Sequence, residues 1–65
     1  MKTLIHIIPT LENGGAETLL TRLVEEFSKE GVKQIVISIQ GDENDFNYHR
    51  VVQFCSVIHA KDGLA

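Results

Sequence analysis

Residues 4–27 constrain the fold of this chain more than any other segment, because an apolar run, a glycine pair and an amphipathic stretch follow one another there. The apolar run is rich in β-branched residues and stops at Pro9, which cannot donate a hydrogen bond to a sheet ladder. We therefore predict a first strand over residues 2–8. Its alternate side chains are apolar on both faces, which is typical of a parallel sheet that is covered on both sides.

After the glycines, apolar residues recur with the spacing of a helix that buries one face. They are Ala16, Leu19, Leu20, Leu23, Val24 and Phe27. We predict this helix over residues 16–30, with Gly31 directly after its end. Asn13 or Gly14 is expected to cap its start, and with Gly14 as the cap the Glu17 carboxylate can reach back toward it.

The opposite face of this helix is polar, and we expect it to be solvated. It carries Thr18, Arg22, Glu25, Glu26 and Lys29. Glu25 and Lys29 stand in the favourable i,i+4 order, which predicts an ion pair contributing about 0.3 kcal/mol.

The glycine pair, Gly14 and Gly15, lies where the first strand leads into the helix. At such a junction the first N–H groups of the helix lack backbone acceptors, and the positive end of the helix dipole faces solvent. Because glycine has no Cβ, an anionic group can come close to these N–H groups. His6 lies near the carboxyl end of the strand, where open α/β sheets bind ligands; the alternative is a core histidine hydrogen-bonded to the backbone.

The rest of the chain predicts four further elements. They are a second strand, a short helix, a third strand and a turn, at residues 32–39, 46–53, 56–59 and 61–63. Asp45 is expected to cap the short helix, although residues 46–60 fit helical and strand periods alike. The predicted fold is α/β, a partial Rossmann-like unit in which β-α-β with a right-handed crossover is followed by a short helix and a third strand in a parallel sheet.

Size and charge limit what the chain can do. Its 65 residues suffice for one small domain with a marginal core. One long helix and one short helix cannot cover both faces of the predicted sheet, so we expect either that these residues begin a larger domain or that a partner chain supplies the missing layer. The net charge is −3 and no basic run is present, which argues against nucleic acid as a partner.

Cys55 is the single cysteine and the three histidines are scattered, so neither a disulfide nor a metal site is expected. Its neighbours Phe54, Val57 and Ile58 are apolar, which favours a small buried side chain over a nucleophile. A lone thiol fits the reducing cytoplasm. The apolar run before Pro9 is too short for a signal peptide or a membrane span, so we predict a cytoplasmic protein.

The first half of the chain resembles a known enzyme family. The residues that carry the likeness are His6-Ile7-Ile8, Pro9-Thr10-Leu11, Gly14-Gly15-Ala16-Glu17 and Leu19-Leu20. In this order they resemble the opening of the GT-B glycosyltransferases of the large retaining family 4, over residues 1–39. The likeness implies two Rossmann-like domains that face each other across a cleft. It also implies transfer of a sugar from a nucleotide-diphosphate sugar to a hydroxyl of a glycan or lipid-linked acceptor, in polysaccharide or glycoconjugate synthesis.

The resemblance also implies roles for residues of this chain. Gly14 and Gly15 are expected to contact the donor diphosphate, with Ala16 opening the helix behind them. The further candidates, expected to line the cleft, are His6, Thr10, Asn13 and Glu17. No catalytic residue, metal or cofactor is implied for this segment, apart from the nucleotide sugar that the whole enzyme uses as substrate.

The sequence departs from two related patterns. It lacks G-x-G-x-x-G, and Ile39-Gln40-Gly41 stands where a dinucleotide fold has an acidic residue, so NAD(P) use is disfavoured. The carboxyl-terminal nucleotide domain of the family has no counterpart, so we expect these 65 residues alone to be inactive. The alternatives are a free-standing α/β module whose exposed sheet face binds another protein, and a phosphate-binding domain of another α/β family.

Overall fold

The structure, a computed structural model, describes residues 2–12 and 14–62. Its elements are β1 (Thr3–Ile8), α1 (Gly15–Lys29), β2 (Lys33–Ser38), α2 (Tyr48–Val51), β3 (Ser56–His59) and a 3₁₀ turn (Ala60–Asp62). The strands form one parallel sheet in the order β1-β2-β3. This confirms the α/β class and the partial Rossmann-like arrangement. The predicted turn at 61–63 is present as the 3₁₀ turn, except that Gly63 lies outside the described residues.

The register of the sheet turns one face of every strand toward the helices. His6, Val36 and Val57 are aligned across the sheet on that side. The hydrophobic core lies between this face and the helices, and its buried members are Ile8, Leu11, Val24, Val36 and Val51. Because Val24 belongs to α1 and Val51 to α2, both helices cover the same face of the sheet.

The opposite face of the sheet is left open by the described residues. It carries Ile5, Ile7, Ile35, Ile37, Ile39 and Ile58, which we call the isoleucine face. Ile5 and Ile7 are 55% and 67% exposed, and Ile58 is 37% exposed. The expectation that the helices leave one face of the sheet uncovered is therefore confirmed for residues 2–12 and 14–62.

The ion pairs of α1 differ from the predicted pair of Glu25 and Lys29. Lys29 Nζ lies 3.4 Å from Glu26 Oε1, and Glu25 Oε2 lies 3.3 Å from Arg50 Nη2 of α2. The prediction was wrong because the fold brings a second helix against Glu25, a contact between residues far apart in sequence. The exposed pair of Lys29 and Glu26 contributes little stability, since water screens it.

The buried stripe of α1 is narrower than the predicted one. Val24 is fully buried, but Leu19 and Leu23 are 59% and 42% exposed. They lie on the flank of α1 opposite Glu25, and therefore away from α2 and toward the edge of the sheet formed by β1. The sheet ends there in the described chain, so nothing covers these two leucines.

The carboxyl end of α1 has the predicted form. The N–H of Val32 donates to the Phe27 carbonyl and that of Gly31 to the Ser28 carbonyl, both at 3.1 Å. These are the two hydrogen bonds of a Schellman motif. Gly31 has φ of 77°, a left-handed conformation that favours glycine. The backbone conformation at this position therefore explains why glycine follows the helix.

The second helix is shorter than predicted, and Asp45 does not cap it. α2 begins at Tyr48, and its cap residue Asn47 makes no side-chain capping bond. The Asp45 carboxylate instead accepts hydrogen bonds from the N–H groups of Leu11 and Asp42. The prediction was wrong because the Asp45 carboxylate accepts a hydrogen bond from the Leu11 N–H, 34 positions earlier, and does not cap the helix that follows it.

A buried polar link joins the sheet to α1. Gln34 is 4% exposed, and its Nε2 donates to the Val24 carbonyl at 2.8 Å. Its Oε1 lies 2.8 Å from His6 Nε2. Because this amide oxygen can only accept, the imidazole proton belongs on Nε2 of His6.

We expect Gln34→Leu to lower the free energy of unfolding by about 1–2 kcal/mol, because His6 loses its partner in a half-buried site. The double variant His6→Leu/Gln34→Leu should be more stable than the sum of the two single losses predicts, since no unpaired side chain of the couple remains. Urea unfolding followed by circular dichroism measures both. Strictly additive losses would contradict the link.

Candidate functional site

The bend between β1 and α1 lies at the carboxyl edge of the sheet. Gly14 caps α1 in an extended conformation, with φ of −140° and ψ of 173°, and Gly15 is the first helical residue. Gly14 is thus confirmed as a cap, whereas the other predicted cap, Asn13, lies outside the described residues. Gly15 is exposed, and a Cβ added to it would meet no atom within 4 Å. The surface over Gly15 is therefore open to an approaching group.

The N–H groups at this bend are not equivalent. The Thr18 N–H makes the first helical hydrogen bond, to the Gly14 carbonyl at 2.9 Å. The Gly14 N–H donates to the Glu12 carbonyl at 3.0 Å and is already used. In the described ranges, 2–12 and 14–62, no acceptor is hydrogen-bonded to the N–H of Gly15 or Ala16. These two amides, and not that of Gly14, are therefore donors that an anion can meet.

Carboxylates lie close to the bend. Thr10 Oγ1 donates to Glu12 Oε2 at 3.3 Å and lies 3.5 Å from Glu17 Oε2. A Cβ on Gly14 would stand 2.8 Å from Glu17 Oε1, so this carboxylate covers the Gly14 side of the bend. Glu17 thus reaches back toward the Gly14 cap as predicted, while the Gly14 N–H donates to the Glu12 carbonyl and not to this carboxylate. Glu17 complements the dipole of α1, and an incoming anion must compete with it.

A second loop, residues 41–47, holds the chain just before the bend; we call it the clamp loop. The Asn47 N–H donates to the Leu11 carbonyl at 2.8 Å, and Asn47 Nδ2 donates to the Glu12 carbonyl at 3.1 Å. Asp45 Oδ2 accepts from the Leu11 N–H at 3.1 Å. Sequence reasoning missed these roles because the partners are 34 and 35 positions apart and only a polar stretch marks the loop.

Asp42, within the clamp loop, is held by two donors. The Asn44 N–H donates to its Oδ1 at 2.8 Å, and Lys61 Nζ lies 3.2 Å from its Oδ2. The Asn44 hydrogen bond, followed by the one from Lys61, lowers the pKa of Asp42. These contacts stabilise the carboxylate form of Asp42. Their contribution to the free energy of unfolding is therefore present above the pKa of Asp42 in the unfolded chain, and it is lost as the pH falls through the lowered pKa of the folded state.

His6 lies away from the bend. It is half-buried on the helix side of the sheet, and its ring centroid is 6.5 Å from that of Phe27, near the last turn of α1. The bend is at the first turn of that helix. The hydrogen bond of His6 goes to the Gln34 side chain, so the expected bond to the backbone is not the one formed.

Cys55 is partly buried against the core, and its thiol lies 3.8 Å from the Val51 carbonyl. Burial raises the pKa of this thiol, which disfavours the reactive thiolate. These properties agree with the predicted small, packed side chain. Within the described part of the chain, no group of three or more His, Cys, Asp or Glu side chains is arranged to hold a metal ion.

The structure therefore brings Thr10, Gly14, Gly15, Ala16 and Glu17 together at one edge of the sheet and leaves His6 beneath α1. Among the described helices, none combines the length and the apolar character that a membrane crossing requires. Comparison of the chain with family models, with curated proteins and with solved structures found no match.

Proposed function

We propose that this chain is the amino-terminal, acceptor-side part of a cytoplasmic GT-B glycosyltransferase of retaining family 4. The observation that supports this most is the exposed bend, where the Gly15 and Ala16 amides have no acceptor in the described chain. The bend lies at the carboxyl edge of a parallel sheet, where open α/β sheets bind their ligands. The donor is a nucleotide-diphosphate sugar and the acceptor a glycan or lipid-linked hydroxyl, in polysaccharide or glycoconjugate synthesis.

In sugar transfer, these amides would stabilise the leaving group. As the acceptor hydroxyl replaces the diphosphate on the donor sugar, negative charge grows on the leaving diphosphate. Fixed N–H donors stabilise that charge, and loss of one such donor raises the barrier by about 3 kcal/mol in well-studied enzymes. The amides of Gly15 and Ala16 are the proposed donors, and the positive end of the α1 dipole adds to their effect.

The exposed outer edge of β1 favours the proposal that this chain is part of a larger enzyme. The bond from the Ile39 N–H to the Ile8 carbonyl places even-numbered residues of β1 toward β2, so the backbone groups of Ile5 and Ile7 face outward. Ile7 and Leu23 leave apolar surface on either side of this edge. In a doubly wound sheet of order 3-2-1-4, a further strand and helix cover both. The 65 residues alone are expected to transfer no sugar.

Substitution of Gly15 tests the proposed donor contact. We expect Gly15→Leu to weaken binding of pyrophosphate and uridine diphosphate by about 10-fold or more, because the side chain covers amides that donate to a charged ligand. The fold should persist, since a Cβ at this position meets no neighbour within 4 Å. Titration of the ¹⁵N-labelled chain by NMR gives both the affinity and the amides that shift.

Two further variants complete this titration. Gln53→Leu places the same side chain at another exposed position and should bind like the unchanged chain. Glu17→Gln should bind pyrophosphate more tightly, because it removes the competing carboxylate. Equal affinities for Gly15→Leu and Gln53→Leu, or an unchanged Gly15 resonance during the titration, would count against the proposal. Binding of pyrophosphate with no preference for any nucleotide sugar would favour a phosphate-binding domain of another α/β family.

A non-enzymatic interaction module is the second candidate, and the isoleucine face favours it. An exposed apolar surface of this kind commonly marks a protein contact. Sedimentation equilibrium of the chain and of Ile7→Glu separates the two readings. A defined oligomer that the charged variant dissociates supports the interaction module, whereas an irregular aggregate supports the enzyme part.

A further inference from the structure

We propose that Asp45 and Asn47 of the clamp loop are positioning residues for the Gly14–Gly15 bend, an inference that rests on the proposed function. Neither residue touches the donor in this proposal. Both hold residues 11 and 12, the segment from which the bend starts. The clamp loop, which lies in the connection between β2 and β3, thereby sets the position of amides in the connection between β1 and β2.

Asn47 is connected to the bend through a single carbonyl. Its Nδ2 donates at 3.1 Å to the Glu12 oxygen that also accepts the Gly14 N–H at 3.0 Å. Asn47 is 3% exposed, so water does not replace this bond readily. A displacement of Asn47 therefore displaces the acceptor that orients Gly14.

Asp45 holds the same segment through its carboxylate. Its Oδ2 accepts the N–H of Leu11 at 3.1 Å and that of Asp42 at 3.2 Å. Together with the Asn47 N–H, which donates to the Leu11 carbonyl, it ties both backbone polar groups of Leu11. The Leu11 side chain is fully buried, so this residue is fixed by its backbone and by its side chain.

The bend needs such support because it has little packing of its own. Gly15 is exposed and the space around it is open, so no side chain of the described residues holds it from outside. Groups that bind a ligand must be held to within about 0.5 Å of their working geometry. Residues 45 and 47 supply that constraint from buried or half-buried positions.

The test compares Asn47→Ala, Asp45→Ala and Asp45→Asn in the 65-residue chain. We expect both alanine variants to shift the Gly14 and Gly15 amide resonances, to speed hydrogen exchange at Gly14, and to weaken pyrophosphate binding about 10-fold. Asp45→Asn keeps an oxygen acceptor and should restore most of the affinity. Rescue by this conservative variant is a result that a general loss of stability does not produce.

Val36→Ala is the matched control, because it weakens the buried core without removing a bond of the clamp loop. Its affinity per folded molecule should equal that of the unchanged chain. Unmoved glycine resonances in Asn47→Ala, or an equal loss of affinity in Val36→Ala, would overturn the proposal. If Asn47→Ala does not fold, the two Asp45 variants decide. If the unchanged chain binds no pyrophosphate, the proposed function fails, and the glycine resonances still decide whether the clamp loop positions the bend.

Discussion

Leu11→Ala should lower the free energy of unfolding by about 3 kcal/mol. Leu11 is 0% exposed, although it lies in a loop, and it belongs to the small core cluster that both helices and the sheet share. Truncation to alanine leaves a cavity whose walls are held by three different elements, so they cannot close over it. A domain of this size has about 5 kcal/mol of stability to lose, so the variant should retain about 2 kcal/mol and unfold at a clearly lower urea concentration.

Urea unfolding monitored by circular dichroism measures this loss, and Leu19→Ala serves as the matched control. Leu19 is 59% exposed on α1, so the same substitution removes little buried surface there. We expect a loss below about 1 kcal/mol for it. Similar losses for the two leucines would mean that Leu11 is not a core residue. The comparison also bears on function, because the core residue Leu11 is three positions before Gly14.

Gly41→Ala should lower the free energy of unfolding by about 2 kcal/mol, for a steric reason. Gly41 is buried, and a Cβ on it would clash with Asp45 Oδ2 and Ser38 Oγ and would lie 3.3 Å from the Thr10 Cα. The Asp45 oxygen cannot simply move aside, because it accepts the N–H of Leu11 and of Asp42. The added methyl group therefore opens the contact between the clamp loop and the chain before the bend.

Gly15→Ala is the matched control for this substitution. A Cβ at Gly15 meets nothing within 4 Å, and the residue is helical with a negative φ. Alanine there should leave stability unchanged or raise it slightly, because it reduces the freedom of the unfolded chain. Thermal unfolding of both variants checks the pair. Equal melting temperatures for the two alanine variants would contradict the packing described around Gly41.

The strands and the long helix could be predicted from the sequence because their signals are local. The β-branched run before Pro9 and the helical spacing that follows predict β1 and α1 to within one residue at each end. β3 has the predicted bounds, Ser56–His59, and β2 is one residue shorter at each end. In each case the side-chain period and a nearby breaker decide the element, and neither depends on the rest of the fold.

The candidate site was predictable only in part. The exposed bend and the cap at Gly14 follow from two adjacent glycines before a helix. Which amides remain available does not follow, because the Glu12 carbonyl accepts the Gly14 N–H, whereas the Gly15 and Ala16 amides have no acceptor among residues 2–12 and 14–62. The placement of His6 beneath α1 depends likewise on Gln34, 28 positions later. The His6 contact is a long-range hydrogen bond that no local pattern encodes, whereas the Gly14 bond spans two residues of a loop whose conformation the sequence pattern does not specify.

The sequence by itself determined the α/β class, the order of the elements and the bend at which a strand leads into a helix, because backbone preferences and side-chain periodicity act over a few neighbouring residues. Only the tertiary structure decided the partners, which are residues 11 and 12 for Asp45 and Asn47, and Glu25 for Arg50. It also decided which face of the sheet the described helices leave open, the isoleucine face. The physical reason is that a side chain with several possible partners takes the one that folding brings into contact, and this depends on the path of the whole chain.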